Sequence, residues 1–463
     1  MQNIYKLIPW FIAAWTVLML ASLKLGWLDS FFWAAENAQV QGIDYFALPK
    51  SYLNLLEGRS AFDTWGGETY GPYATWYLGH PAFSVFVMFW FSFFSPWVSY
   101  AAFVIFSLSL LIYSAHHFSK LAANSYEKVM SYFLLLCAFP VYWMLYVGNM
   151  HAPLVLAMSL LLIAVYEMLY GNDDKSANQK LLVGLLISFL SKPIVILMLP
   201  ALLLVCETRK STFQALSIYV AVSVLFIIVP TLNPEGIGMA RLLNTMFDFE
   251  FIKENMNIYK NKFVLNEYMK DNAIHWLNLI AQSEHRLNHI EVFSLPVFID
   301  SMMEKQMPAS IYKWPIHISL LLSATLFFIR DKKARLTSLM LLLSAISLTF
   351  YLSYNTVWEY QYASLMPVIA LLYFLRNKGI FTKVEFNTII ALSIFFYLPS
   401  FYFLLPQKEV FDLTEFNIIR FNRVIPALLL FLVLSIKIAR IVVSNFQLRK
   451  PDIYGYINSV FFN

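Results

Sequence analysis

The feature that most constrains this chain is a recurrence of apolar runs about 15 to 25 residues long, each able as a helix to cross roughly 30 Å of hydrocarbon. Inside lipid every backbone donor and acceptor must be satisfied within the protein, so such runs read as helices. They fall near residues 7–25, 81–95, 97–115, 129–147, 150–170, 181–206, 212–230, 314–330, 336–352, 359–375, 384–405 and 424–443. The expected fold is all-α: a polytopic transmembrane helical bundle of about 10 to 13 membrane helices. Composition agrees, since 59% of residues are hydrophobic and 13% charged, against about 25% charged in a soluble domain. The first run exceeds a secretion-signal core and lacks a small-residue cleavage site, so it is expected to remain as a span.

Charge speaks to orientation more than to partners. The net charge of +5 comes from Lys and Arg at the ends of runs, which gives no basic stripe for nucleic acid, and no nucleic-acid partner is expected. Arg330 to Arg335, then Arg376, Lys378 and Lys383, mark cytoplasmic ends. That places the long polar stretch 231–312 outside the cytoplasm, and a cytoplasmic amino terminus puts the other, 26–80, there too. The chain thus divides into an N-terminal transmembrane module, 1–230, with its outer loop 26–80, a second large outer loop, 231–312, and C-terminal helices, 313–463. Simple alternation fails in the first half, because Lys120 and Lys128, Lys175 and Lys180, and Arg209 and Lys210 all favour the cytoplasm. One remedy splits 181–206 into two short helices with Ser191-Lys192-Pro193 at an outer apex, since Pro disfavours an unbroken helix. Residues 81–115 pose the same problem, and a re-entrant pair broken at Ser95-Pro96 stands beside two full spans. Cys137 and Cys206 sit in apolar runs as small buried hydrophobes and suggest no disulfide framework.

The loop 26–80 carries six carboxylates against two basic residues, interleaved with aromatics such as Tyr45, Tyr70 and Tyr73 that suit a sugar-binding surface. Asp44 precedes a segment with Leu48, Tyr52, Leu55 and Leu56 at helical spacing, which predicts an amphipathic helix along the membrane surface. A carboxylate there can remove a proton from an acceptor hydroxyl, although any one of six acids could simply solvate the loop. Lys192 is an ammonium inside an apolar run, which calls for a partner, a function or snorkelling to the interface. His151, His80 and Arg59 could donate to phosphate, or be satisfied interfacial residues. Glu359, beside Trp358, could bind a sugar hydroxyl or belong to an interfacial belt.

Three motifs occur in order: Asp44-Tyr45, Leu55-Leu56-Glu57-Gly58-Arg59-Ser60-Ala61-Phe62-Asp63, Tyr70-Gly71-Pro72-Tyr73 and His80-Pro81; then Gly148-Asn149-Met150-His151 with Ser191-Lys192-Pro193; then Trp358-Glu359-Tyr360-Gln361-Tyr362 with Pro367. This order resembles the GT-C superfamily of integral membrane glycosyltransferases, in particular its polyprenyl-phosphate-mannose-dependent bacterial branch. The resemblance implies inverting transfer of a hexose, with mannose expected, from a polyprenyl-phosphate sugar donor to a lipid-linked or glycan acceptor. It implies a bacterial cytoplasmic (inner) membrane, surrounding membrane lipids as partners, and an active site on the outer face. Asp44 would be the general base, with Asp29 the rival because several GT-C families place their acid just after the first span. Lys192, His151, His80 and Arg59 would hold the donor phosphate; Tyr45, Tyr70, Tyr73, Trp358 and Glu359 the sugar or acceptor. The chain departs from the pattern at Gly79-His80-Pro81, where Tyr-Pro-Pro is usual, and at Asn149, where Gln is common.

No cofactor is implied. His285 and His289 stand at i and i+4 near Glu284 and Glu291, but a metal site needs a third ligand on a formed helix, and none is visible. Two other functions fit a multi-span protein. A lipid or glycan transporter or flippase would favour internal repeats, and none is evident. An O-antigen-type polymerase or ligase would favour an arginine-rich outer loop, whereas arginines are few in 231–312.

Overall fold

A computed structural model describes residues 4–26, 41–56, 61, 64, 70–72, 77, 79–171, 173–228, 294–303, 307–354, 357–400 and 422–445. These residues are helical, as the apolar runs predict. In chain order the helices are α1 (Ile4–Leu25), α2 (Ala47–Leu56), α3 (Pro81–Ser92), α4 (Pro96–Ser119), α5 (Ser125–Leu136), α6 (Phe139–Val147), α7 (His151–Tyr170) and α8 (Asp174–Ser191). Then come α9 (Pro193–Leu204), α10 (Cys206–Ser223), α11 (Leu295–Met303), α12 (Trp314–Phe328) and α13 (Lys332–Ser353). A 3-10 segment at Glu359–Leu365 leads into α14 (Met366–Phe374), followed by α15 (Lys383–Tyr397) and α16 (Val424–Asn445).

Among the described residues, α1, α4, α7, α13 and α16 are long and apolar enough to cross a membrane, and the pair α5 and α6, bent by 46°, makes a sixth. The remaining runs are divided where the sequence dictates. Lys192 adopts φ −142° and ψ 116° because the residue before a proline is pushed out of helical space, and Pro193 then starts α9. Ser95 is extended ahead of Pro96 for the same reason, and Pro140 lies in the first turn of α6 after the break at Cys137 and Ala138. Helices α7 and α13 form the buried centre. Outer helices turn apolar side chains outwards, with Trp10 75% and Val443 78% exposed. Such a surface suits hydrocarbon rather than water.

The bundle has two chemically distinct ends. At one, Lys180 pairs with Glu167 at 2.6 Å, Arg376 with Glu127 at 2.6 Å and Lys437 with Glu385 at 2.9 Å, while Arg335 pairs with Glu207. Lys378 lies over the Tyr170 ring at 4.7 Å, and Ser211 donates to Asn178 over 2.8 Å, which ties these pairs to one another. The opposite end gathers the loop residues 41–46, the starts of α7 and α14, and the break at Lys192. Helix α3 begins beside Leu190, whose carbonyl accepts from the His80 amide at 3.0 Å, and ends beside Ser99, which donates to Phe91. It therefore enters and leaves at this second end without crossing. Helices α8 and α9 run out and back around Lys192. These two features bring Lys120, Lys128, Lys175, Lys180, Arg209 and Lys210 to the ion-paired end together, which removes the conflict left by simple alternation.

Candidate functional site

The site is built on the junction between α6 and α7. Helix α6 ends at Gly148, whose φ of +71° is left-handed, with Gly148 N–H donating to Met144 O and Leu145 O and Asn149 N–H reaching back to Met144 O at 3.1 Å. A side chain on Gly148 would also stand 2.4 Å from Tyr45 Cβ, so glycine is required here for conformation and for space. The next two carbonyls accept from the first loop: Gly42 N–H donates to Tyr146 O at 2.8 Å and Asp44 N–H to Val147 O at 2.9 Å. Tyr100 at the start of α4 donates its hydroxyl to Leu145 O and Tyr146 O, each at 2.9 Å. Tyr45 and Phe46 fill the space between loop and α4, against Tyr100 and Trp97.

With its backbone fixed, the partly buried Asp44 turns its carboxylate into the bundle. Asn149 Nδ2 donates to Asp44 Oδ2 at 2.7 Å, Asn149 Oδ1 lies 2.6 Å from His151 Nδ1, and Lys192 Nζ lies 3.2 Å from the same His151 nitrogen. Tyr360 closes the group: its ring centroid is 5.5 Å from that of His151 and 6.0 Å from Lys192 Nζ, and its side chain hydrogen-bonds Asp44. Burial pushes the Asp44 carboxyl above the ordinary carboxylate range, and the Asn149 hydrogen bond, the Lys192 charge and Tyr360 pull it partly back. The His151 Nε2 atom is buried and has no hydrogen-bond partner among the described residues. Together these residues offer a base of enhanced proton affinity beside a buried cation.

Three of the residues singled out in the sequence, Asp44, His151 and Lys192, thus meet. His80 does not join them: its Nδ1 accepts from Ala82 N–H at 3.1 Å as the cap of α3, and its Nε2 lies 3.2 Å from Ser223 Oγ. Tyr45 is buried, with its hydroxyl on Ser99. Tyr70 is half-buried and donates to Phe91 O at 3.2 Å. Trp358 precedes the 3-10 segment, where its N–H donates to Gln361 Oε1 at 3.2 Å. Glu359 forms a buried ion pair with Arg423, and it also accepts from Ser400 N–H at 3.2 Å. Asp29, Arg59, Tyr73, His285 and His289 lie outside the described residues, and so does most of the loop 231–312. Among the described residues no group of three or more His, Cys, Asp and Glu could hold a metal ion.

Sequence reasoning missed three participants. Asn149 entered only as a departure from a motif, and Tyr360 only as part of one. Arg423 was not singled out at all, although an arginine at the mouth of the run 424–443 is the kind of intramembrane charge that asks for a partner. The chain matches no family model, no curated protein and no solved structure.

Proposed function

We propose that this chain is a multi-pass membrane glycosyltransferase that moves a hexose, mannose by the resemblance to the GT-C superfamily, with inversion from a polyprenyl phosphate to a hydroxyl of a lipid-linked or glycan acceptor. The observation that carries the reading is the row Asp44, Asn149, His151 and Lys192, which sets a partly buried carboxylate and a buried ammonium on either side of a neutral amide and an imidazole. In such a reaction the acceptor oxygen forms a bond to the anomeric carbon while the bond from that carbon to the phosphate oxygen breaks. The hydroxyl proton passes to Asp44, and the electron pair leaves with the polyprenyl phosphate, whose charge Lys192 offsets. No covalent intermediate is required.

A membrane placement is part of the same proposal. Among the described residues five helices, or six with the bent pair, are long and apolar enough to cross, and the 10 to 13 membrane helices expected from the sequence would need the shorter apolar helices as well. The reading takes the cation-rich end as cytoplasmic, as the positive-inside rule favours, and with it proposes the Asp44 end for the outer face of a bacterial inner membrane. The test is transfer by purified protein from a panel of polyprenyl-phosphate sugars, with Asp44→Asn as control. Transfer from no member of the panel, combined with protein-dependent movement of polyprenyl-phosphate sugars across vesicles, would replace this reading with that of a flippase.

A further inference from the structure

The contacts of Asn149 determine which nitrogen of His151 carries the proton. A carboxylate only accepts hydrogen bonds, so the Asn149 atom facing Asp44 at 2.7 Å is its NH2 group. The amide oxygen then faces His151 Nδ1 at 2.6 Å, and because that oxygen only accepts, Nδ1 must bear hydrogen. A neutral imidazole has one N–H, so the other nitrogen, Nε2, is left with a bare lone pair. That atom is fully buried and has no hydrogen-bond partner among the described residues. Lys192 Nζ sits 3.2 Å from Nδ1, and a protonated Nδ1 cannot accept from it. The buried ammonium therefore also keeps its protons for something else.

We infer that His151 is locked by Asn149 as its Nδ1–H tautomer, so that Nε2 accepts a hydrogen bond from a hydroxyl of the bound ligand while Lys192 takes the ligand's anionic group. His151 thereby becomes a specificity-determining residue that reads a sugar hydroxyl, the opposite polarity from a phosphate donor. A buried acceptor of this kind discriminates strongly, because a ligand lacking the hydroxyl leaves the lone pair desolvated and unmatched. The tautomer rests on the proposed function in requiring Asp44 to be ionised, as a base must be, and the ligand groups assigned to His151 and Lys192 rest on it as well.

Nitrogen NMR of protein labelled with 15N-histidine decides it, since the chain has eight histidines and His151→Gln identifies the resonance by subtraction. The expected result is a protonated Nδ1 and an unprotonated Nε2 for His151; a protonated Nε2 overturns the inference. Asn149→Leu, which removes the amide oxygen, is expected to release the tautomer into a mixture, and an unchanged spectrum shows that Asn149 does not set it. Polyprenyl-phosphate mannose is then added, with sugar-free polyprenyl phosphate as the paired probe. A shift of the Nε2 signal with the first and not the second supports hydroxyl recognition, whereas equal shifts, or none from probes shown to bind, overturn it. Failure of both probes to bind counts against the transferase reading, while the protonation state of His151, measured without ligand, still decides the tautomer by itself.

Discussion

Asn149 donates its side-chain amide to the Asp44 carboxylate over 2.7 Å, across 105 residues of sequence. This contact joins the first loop to the start of the central helix and makes Asp44 part of the bundle. Asp44→Asn keeps an oxygen for Asn149 to donate to but cannot take a proton. It is expected to lower turnover about a hundred- to ten-thousand-fold with unchanged membrane level and thermal unfolding. Undiminished turnover, with loss in Asp29→Asn instead, would move the base role to Asp29.

The pH profile provides a second test. In the proposed role as base Asp44 must be deprotonated, and burial holds its carboxyl above the usual value of about 3.9, so activity should fall on acidification at a higher pH than an exposed aspartate would give. The Asn149 bond opposes that displacement. Asn149→Leu should therefore move the acidic limb of kcat/KM further up in pH, and a limb that stays in place would disconnect Asn149 from the base.

Lys192 is 8% exposed, with His151 Nδ1 as the polar atom within hydrogen-bond distance of its ammonium among the described residues. Lys192→Met preserves volume and removes the charge. Loss of one charge-assisted contact corresponds to about a ten- to hundredfold rise in donor KM. The acidic limb should rise as well, because the Lys192 charge favours the ionised form of Asp44. A snorkelling lysine would show neither change.

Glu359 and Arg423 bind each other in full burial, and Arg423 also donates to Phe396 O at 2.9 Å. Arg423→Met alone leaves an uncompensated carboxylate and should destabilise by about 3–5 kcal/mol, while the double change with Glu359→Leu should recover much of that loss. Denaturant unfolding in detergent of the two single variants and the double variant measures the coupling. Additive losses would indicate that the pair contributes nothing as a pair.

Orientation is checked from both ends of the bundle. Pro72 and Asn377 are exposed, at the Asp44 end and the ion-paired end respectively. With Cys137 and Cys206 replaced by Ala, Pro72→Cys should react with an impermeant maleimide in intact cells, and Asn377→Cys only after permeabilisation. The reverse pattern would place Asp44 on the cytoplasmic side and rule out the proposed outer-face reaction.

The helices were legible because hydropathy and proline act locally: the run 424–443 and the break at Pro193 each follow from a few neighbouring residues. The direction of α3 was not, since an apolar run has the same composition whether it crosses a membrane or doubles back. Asp44, His151 and Lys192 were recognisable as residue types in motifs, but charge and spacing alone left Asp44 one acid among six. Asn149, Tyr360 and Arg423 escaped because their meaning lies in partners far away in sequence, such as Asp44 for Asn149 and Glu359 for Arg423. A neutral amide carries no signal of its own until the groups on its two sides are known.

The junction at Gly148 has a further consequence. Asp44 is fastened to the carbonyl end of α6, the negative pole of that helix's macrodipole, while His151 opens α7 at a positive pole. The main chain therefore lays down a field along the row from carboxylate to cation, with the sense that the proposed transfer needs for a proton arriving at one end and negative charge departing at the other. Side-chain replacements can weaken the row, but this field persists for as long as the two helices meet at Gly148.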